Sequence, residues 1–443
     1  MKHIVACIFV LVFLPAAVFC NEQVDLFVQR QIEKHHIPGV AVLVMQDGKI
    51  IKEKGYGLAN IEHQVPVKPE TVFQSGSIGK QFTATAVMIL VEEGKVSLDD
   101  PIRKFMEKAP DSWKGITIRH LLTHTSGLDD YPEDFDFRRD FTEDEEFEVF
   151  TKTAPAFTPG EKWSYSNVGY ATLGFMIHKV TGKFYGDFLR DRVFVPLGMT
   201  ATRVISESDI VPNRAGGYLW TKGEFKNQEW VSPTVNTTAD GSLYFTIQDL
   251  AKWDAALYSE KILKKSSLDL MWTPAKLTDG STYPYGFGWG IDEVRGHRNI
   301  EHGGSWQGFN THIARYVQDR LTVVVLMNRA SANPDYVAHS VAGIYVPDLA
   351  PTKRAAVSLT EEKLKAYAGK YELGPGRTIQ VSADSNKLTA IWGDDSFELL
   401  PESDTVFFQE DSELVVRFAK SDDGDITHML LGEREIRRLK KIE

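Results

Sequence analysis

Cysteine is almost absent: the 443 residues hold two, Cys7 and Cys20, both in the first twenty positions. Beyond them no internal disulfide and no cysteine-based metal site is available. A basic excess is also missing. Fifty Lys and Arg face 61 Asp and Glu, a formal net charge of −11, which argues against nucleic acid and anionic membrane surfaces as partners. After residue 20 no apolar run is long enough to span a bilayer. The chain has no His-Glu-x-x-His. His120 and His124, four apart on an expected helix, lack an acidic partner and read as structural. No metal and no cofactor is therefore expected. Internal repeats and low-complexity tracts are missing too.

The first twenty residues form a separate object. "MKH" supplies a short basic start and "IVACIFVLVFLPAAVF" an apolar run, so residues 1–20 read as a secretory signal peptide. Val18 and Cys20 suit cleavage before Asn21. Lipidation at Cys20 and a retained N-terminal anchor are the weaker alternatives. Cleavage removes Lys2, so the mature charge is 49 − 61 = −12. The expectation is an exported protein, periplasmic or secreted.

The rest divides by pattern. "VDLFVQRQIEKHH" reads as an amphipathic helix. "GVAVLVMQDGKIIKEKGYGLAN" reads as a hairpin turning at Asp47-Gly48. Mostly helical signals run from about residue 77 to about 210. Within them "DDYPEDFDFRRDFTEDEEFEVF" reads as a solvated loop and helix face. Strand signals return near 280, with a second hairpin in "HIARYVQDRLTVVVLMN" turning near Gln318-Asp319. This is an α+β pattern: an antiparallel sheet built from both ends of residues 21–350, flanked by helices, with a helical domain inserted. After the linker "YVPDLAPTKRAAVSLTEE", residues 351–443 carry short alternating runs split by turn residues. They read as a small antiparallel β-domain, a barrel or a sandwich.

Three short motifs carry chemistry. Ser77-Ile78-Gly79-Lys80 is the only Ser-x-x-Lys in the chain. At a helix start, residues i and i+3 share a face, so the Lys80 amine can meet the Ser77 hydroxyl. A serine needs a base to become nucleophilic, and burial can lower a lysine's pKa far enough to serve. Tyr165-Ser166-Asn167 is the only Tyr-x-Asn, with a phenol suited to proton transfer and an amide suited to a substrate amide. His302-Gly303-Gly304-Ser305 holds the only His-x-Gly among twelve histidines. Its paired glycines suggest close approach to the backbone. Singly these are a chance match, a loop tyrosine and a strand bulge.

Together, in this order, they resemble the serine β-lactamases and penicillin-binding proteins, closest to the class C β-lactamase-like branch with its D-peptidases, D-aminopeptidases and esterases. "IRHLLTHTSGL", "TPGEKWSYSN", "PLGMT", "DLAKW" and "YGFGWG" resemble that family too. The similarity runs over about residues 22–345, and the tail is similar to the lipocalin-like domain of some members. The resemblance implies Ser77 as acylated nucleophile, Lys80 as its base and Tyr165 as proton shuttle. It implies substrate binding by Asn167 and by His302, Gly303, Gly304 and Ser305, with an oxyanion hole from the backbone N–H groups of Ser77 and Ser305. Many relatives have Lys-Thr-Gly or Lys-Ser-Gly where this chain has His302-Gly303-Gly304. The missing cation and hydroxyl commonly bind a substrate carboxylate, which puts β-lactams and C-terminal D-alanine in doubt. The implied activity is hydrolysis of a small amide or ester, of D-peptidase, D-aminopeptidase or carboxylesterase type. A true β-lactamase or D-Ala-D-Ala carboxypeptidase is the alternative, and a non-catalytic scaffold of the same fold is the alternative of another class. Substrate and oligomeric state stay open.

Overall fold

The computed structural model describes residues 16–204, 208–374, 377–392, 395–432 and 437–443. Most of the expected signal peptide, residues 1–15, lies outside them. The first described element is a helix, α1 (Ala16–Lys34), which runs without a break through Cys20 and Asn21. Among the described residues no helix is long and apolar enough to cross a membrane. The chain divides into two compact units at Leu349/Ala350.

The first unit is organised by a seven-stranded antiparallel sheet. Its strands are β1 (Gly39–Gln46), β2 (Lys49–Asn60), β3 (Val65–Pro66), β4 (Gly290–Val294), β5 (His297–Trp306), β6 (Phe309–Tyr316) and β7 (Leu321–Met327). Their order is β4-β5-β6-β7-β1-β2-β3. The two ends of the unit meet in the β1–β7 ladder, where Val40 faces Met327 and Val44 faces Val323. Asp47 and Gly48 both take positive φ, 50° and 74°, the conformation a two-residue hairpin needs to match strand twist. The second hairpin turns through 317–320, at the expected place.

Strands β1 and β7 carry unbroken apolar runs, 40–45 and 323–327, because both sheet faces are covered. Val40, Val42, Val44, Val323 and Val325 pack with Val24 and Val28 of α1 and with Val337 and Val341 of a late helix, Pro334–Tyr345. Ala41, Leu43, Val324 and Leu326 face the opposite way, into the larger core. There the most buried helix is α2 (Gly79–Glu92), covered all round from Gly79 to Leu90. The inserted region packs on this face.

The acidic, aromatic stretch at 129–150 departs from the expected solvated loop and helix face. Phe135, Phe141, Phe147 and Phe150 are buried in the main core. Thr142 and Glu145 form a reciprocal cap at the start of the helix Glu143–Phe150. Acids and aromatics are interleaved, so one chain face can enter the core while the other stays wet; net charge alone hides this.

In the second unit eight antiparallel strands between Gly369 and Lys441 close into a barrel, the last pairing with the first at Tyr371↔Lys441. The barrel resolves the earlier choice between barrel and sandwich. Tyr371, Val381, Leu388, Phe407, Phe418 and Met429 are among the side chains that form its core.

Candidate active site

Ser77 sits in a 3-10 turn, Gly76–Ile78, that runs directly into α2. Gly76 has φ 51°, and a Cβ there would stand 2.4 Å from the Ser305 nitrogen. Only glycine permits that backbone and that approach. Gly304 is equally constrained: a Cβ would lie 2.1 Å from the Ser75 carbonyl oxygen and 2.9 Å from the Ser77 nitrogen. The Thr311 hydroxyl ties the same Ser75 carbonyl at 2.7 Å. Strand β5 is thus pressed against the Ser77 turn, and the amides of Ser77 and Ser305 are neighbours.

Lys80 is fully buried. An ammonium has three N–H donors, and Lys80 Nζ has three acceptors: Ser77 Oγ at 3.1 Å, Asn167 Oδ1 at 2.6 Å and the Asp240 carbonyl at 2.5 Å. Burial pushes its pKa down to about 8, against the pull of the Asp240 and Asp130 carboxylates. When Nζ loses a proton, two N–H groups still satisfy Asn167 and Asp240. The lone pair is then left facing the Ser77 hydroxyl.

Tyr165 lies beside them, with Lys80 Nζ 4.8 Å from its ring centre and its phenol near enough to Ser77 to feel that hydroxyl. Burial raises the phenol, the nearby Ser77 hydroxyl lowers it, and the Asp240 and Asp130 charges add to the rise. The residue after Tyr165 explains the motif's position: Ser166 caps the helix Asn167–Thr181, accepting from the Gly169 N–H at 3.1 Å.

Asn167 was expected to bind substrate. It lines the cleft, yet its amide is engaged at both ends, Oδ1 by Lys80 and Nδ2 by donation to Asp130 Oδ2 at 3.1 Å. Its observed work is to orient Lys80.

His302 also differs from expectation. It is buried and lies behind Tyr165 rather than among the residues lining the cleft. A chain of hydrogen bonds defines its state. The Ser166 N–H donates to His124 Nδ1 (3.1 Å), so His124 Nε2–H donates to the Tyr285 hydroxyl (3.2 Å). That hydroxyl donates to His302 Nε2 (2.9 Å), and His302 Nδ1–H donates to the Gly303 carbonyl (2.5 Å). Both imidazoles are neutral in this arrangement. Burial holds His302 down to about 3 and His124 well below its usual value. Among the described residues lining the cleft, no lysine or arginine stands in for the lysine of the related motifs. Gly303 faces His312 on the other side of the sheet. Of the four, Gly304 and Ser305 meet the Ser77 turn.

Ser77, Asn167 and Ser305 open onto a cleft of about 360 Å³. Its wall holds the carboxylates Asp130, Glu133 and Asp240, the aromatics Tyr131, Phe137 and Trp306, and no lysine or arginine among the described residues. Asp240 Oδ1 is buried without a partner. Sequence reading gave no site role to Asp130, Asp240, His124 or Tyr285; the available signals were the acidic-aromatic composition of 129–137 and the family-like segments "IRHLLTHTSGL" and "YGFGWG", which contain His124 and Tyr285. His120 caps a short helix, as a structural reading requires.

An antiparallel sheet against helices, a serine and a buried lysine at the start of the central helix, and a strand edge beside them define a serine hydrolase of the β-lactamase and penicillin-binding-protein type. The chain belongs to the Beta-lactamase family, which it matches over residues 24–344; residues 353–440 match a "Domain of unknown function (DUF3471)". It is 29% identical to "Penicillin-binding protein 4*" of Bacillus subtilis (strain 168), over 88% of this chain and 92% of that one. It is 28% identical to a "D-aminopeptidase" of Gluconobacter oxydans, over 67% of this chain and 56% of that one. The structure of the octameric penicillin-binding protein homologue from Pyrococcus abyssi superposes with a TM-score of 0.70 at 27% identity, covering 95% of this chain and 99% of that one.

Proposed function

We propose that the protein hydrolyses a small amide or ester through an acyl-enzyme on Ser77, with D-aminopeptidase-like or carboxylesterase-like selectivity. The observation that carries this reading is the Lys80 amine, stripped of water and held with its third position on Ser77 Oγ. Neutral Lys80 takes the Ser77 proton as Oγ attacks the substrate carbonyl. The oxyanion forms against the N–H groups of Ser77 and Ser305. Tyr165, beside Lys80 and Ser77, relays the proton held by Lys80 to the departing nitrogen or oxygen, which returns Lys80 to its neutral form, and later helps water attack the ester. Departure of the amine or alcohol leaves the acyl group on Ser77. Water then releases the acid and restores the hydroxyl.

The cleft wall bears on the substrate. Three carboxylates and no cation repel a substrate carboxylate and favour a neutral or amino-bearing one. This agrees with the D-aminopeptidase among its relatives and disfavours β-lactams and C-terminal D-alanine. The apolar run before Asn21 supports export; N-terminal sequencing of the protein recovered outside the cytoplasm tests it.

The functional test is a hydrolysis panel: p-nitrophenyl esters, D- and L-amino-acid anilides, D-Ala-D-Ala peptides and nitrocefin, with a fluorophosphonate label on Ser77. Turnover and labelling should both vanish in Ser77→Ala. A folded wild-type protein that neither labels nor turns over any member of the panel is a scaffold, and the proposal fails.

A further inference from the structure

We propose that Glu301, His312 and His339 form a binding site for one zinc-class divalent metal ion, on the sheet face opposite the cleft. Strand alternation places them there. His302 and Gly304 point toward Tyr165 and Ser77, so Glu301 and Gly303 point away. In the β5–β6 ladder Gly303 lies opposite His312 and Glu301 opposite Ala314, which puts Glu301 and His312 diagonally on one face. His339 descends onto that face from the helix Pro334–Tyr345.

The donors converge. His312 Nε2 and His339 Nε2 stand 3.1 and 2.9 Å from the same oxygen, Glu301 Oε2. All three prospective ligand atoms lie within 4.8 Å of one another. The side chains are 7%, 5% and 17% exposed. Two imidazole nitrogens and one carboxylate make a borderline-soft donor set that suits zinc and cobalt rather than calcium or magnesium. Tetrahedral bonds of about 2.0–2.1 Å set ligand atoms roughly 3.3 Å apart; the two carboxylate–imidazole spacings are already within a few tenths of an ångström of this, and the two imidazoles, at most 4.8 Å apart, close the rest on binding. Each imidazole would carry its proton on Nδ1 and give its Nε2 lone pair to the ion.

A second observation points the same way. Asn299 is fully buried; its Nδ2 contacts Glu301 Oε2, and its Oδ1 has no partner. A half-turn of that amide exchanges the two atoms and brings the orphaned oxygen to the point where the other donors meet. It supplies the fourth ligand of a closed, structural site. Gly303 is exposed, and a Cβ there would lie 3.5 Å from His312 Nδ1, so the missing side chain leaves an approach to the ring. The ion would clamp β5 to β6 and to the helix above, behind the strand that carries Gly304 and Ser305. The Ser77 chemistry does not call on it.

The test uses full-length protein stripped with a chelator, dialysed, and titrated with Co²⁺ and Zn²⁺. The expected result is one ion per chain, the strong visible absorption of four-coordinate Co²⁺, and a melting temperature that rises with Zn²⁺. Glu301→Gln and His339→Gln should weaken binding by more than about 100-fold, beyond what outer-shell changes cost. His35→Gln/His36→Gln should leave binding unchanged. Asn299→Ala, which keeps all three primary ligands, should alter the Co²⁺ spectrum with the circular dichroism unchanged, so the proposal stays testable if a ligand variant misfolds. Failure to take up one ion, equal uptake by wild type and by the folded ligand variants, or an unaltered Co²⁺ spectrum in Asn299→Ala overturns the proposal and leaves a buried carboxylate held by three N–H donors.

Discussion

Raising the pH from about 6 to about 8 should speed acylation of Ser77 roughly fifty-fold. The reasoning rests on Lys80, whose pKa burial has lowered to about 8. The nucleophile is activated by the neutral amine, so the sign is fixed: the rate rises as Lys80 loses its proton and levels off above its pKa. At pH 8 about half the molecules hold the free base, and at pH 6 about one in a hundred. No histidine of the site should contribute a limb, since His302 is held down to about 3 and His124 well below its usual value. Tyr165 is shifted upward and should not interfere. The assay is kcat/KM for a p-nitrophenyl ester from about pH 5 to 9.5, with the rate of fluorophosphonate labelling measured in parallel. Asp240→Asn removes the largest charge supporting the protonated lysine, so its limb should move to lower pH. Lys80→Arg should be nearly as inactive as Lys80→Ala, because arginine does not deprotonate in a protein. A flat profile, or an active arginine variant, would show that Lys80 is an electrostatic anchor. A limb near pH 6–7 that vanishes in His302→Gln would make the histidine the base.

Adjacent glycines should behave oppositely. Gly304→Ala puts a methyl 2.1 Å from the Ser75 carbonyl and 2.9 Å from the Ser77 nitrogen, which forces β5 away from the nucleophile and should lower kcat about 100-fold or more; Gly303→Ala meets only ordinary contacts, the nearest at 3.5 Å, and should keep near-wild-type rates. Equal rates for the two variants would refute the assigned oxyanion geometry. In the substrate panel an uncharged or amino-bearing ester should outperform nitrocefin, and nitrocefin as the best substrate would refute the reading of the acidic wall. Ending the chain after Leu349 should leave a folded unit that still labels at Ser77, because its two large cores draw no residue from beyond that point; an insoluble or unlabelled product would show that the barrel is needed for the fold.

Local chemistry determined much of this protein before any folding. The spacing of Ser77 and Lys80 brings them to one face of a helix start, whatever surrounds them. Asp47-Gly48 can turn a hairpin by itself, and the uninterrupted apolar runs of β1 and β7 announce a sheet covered on both sides. The alternating runs after residue 369 belong to a small β-domain for the same reason. Tertiary structure alone decided how those parts are charged and aimed. Lys80 meets Asn167 and Asp240 across 87 and 160 residues of chain, and those contacts with burial turn an ordinary ammonium into a base. His302 looked like a substrate ligand; Tyr285 and the Gly303 carbonyl take up its two nitrogens and leave it neutral behind Tyr165. Glu301, His312 and His339 share no motif and meet because two strands and a late helix cross at one point. Hydrogen-bond partners, burial and the direction of a strand face are properties of the folded surroundings, so they stay hidden until distant segments are brought together.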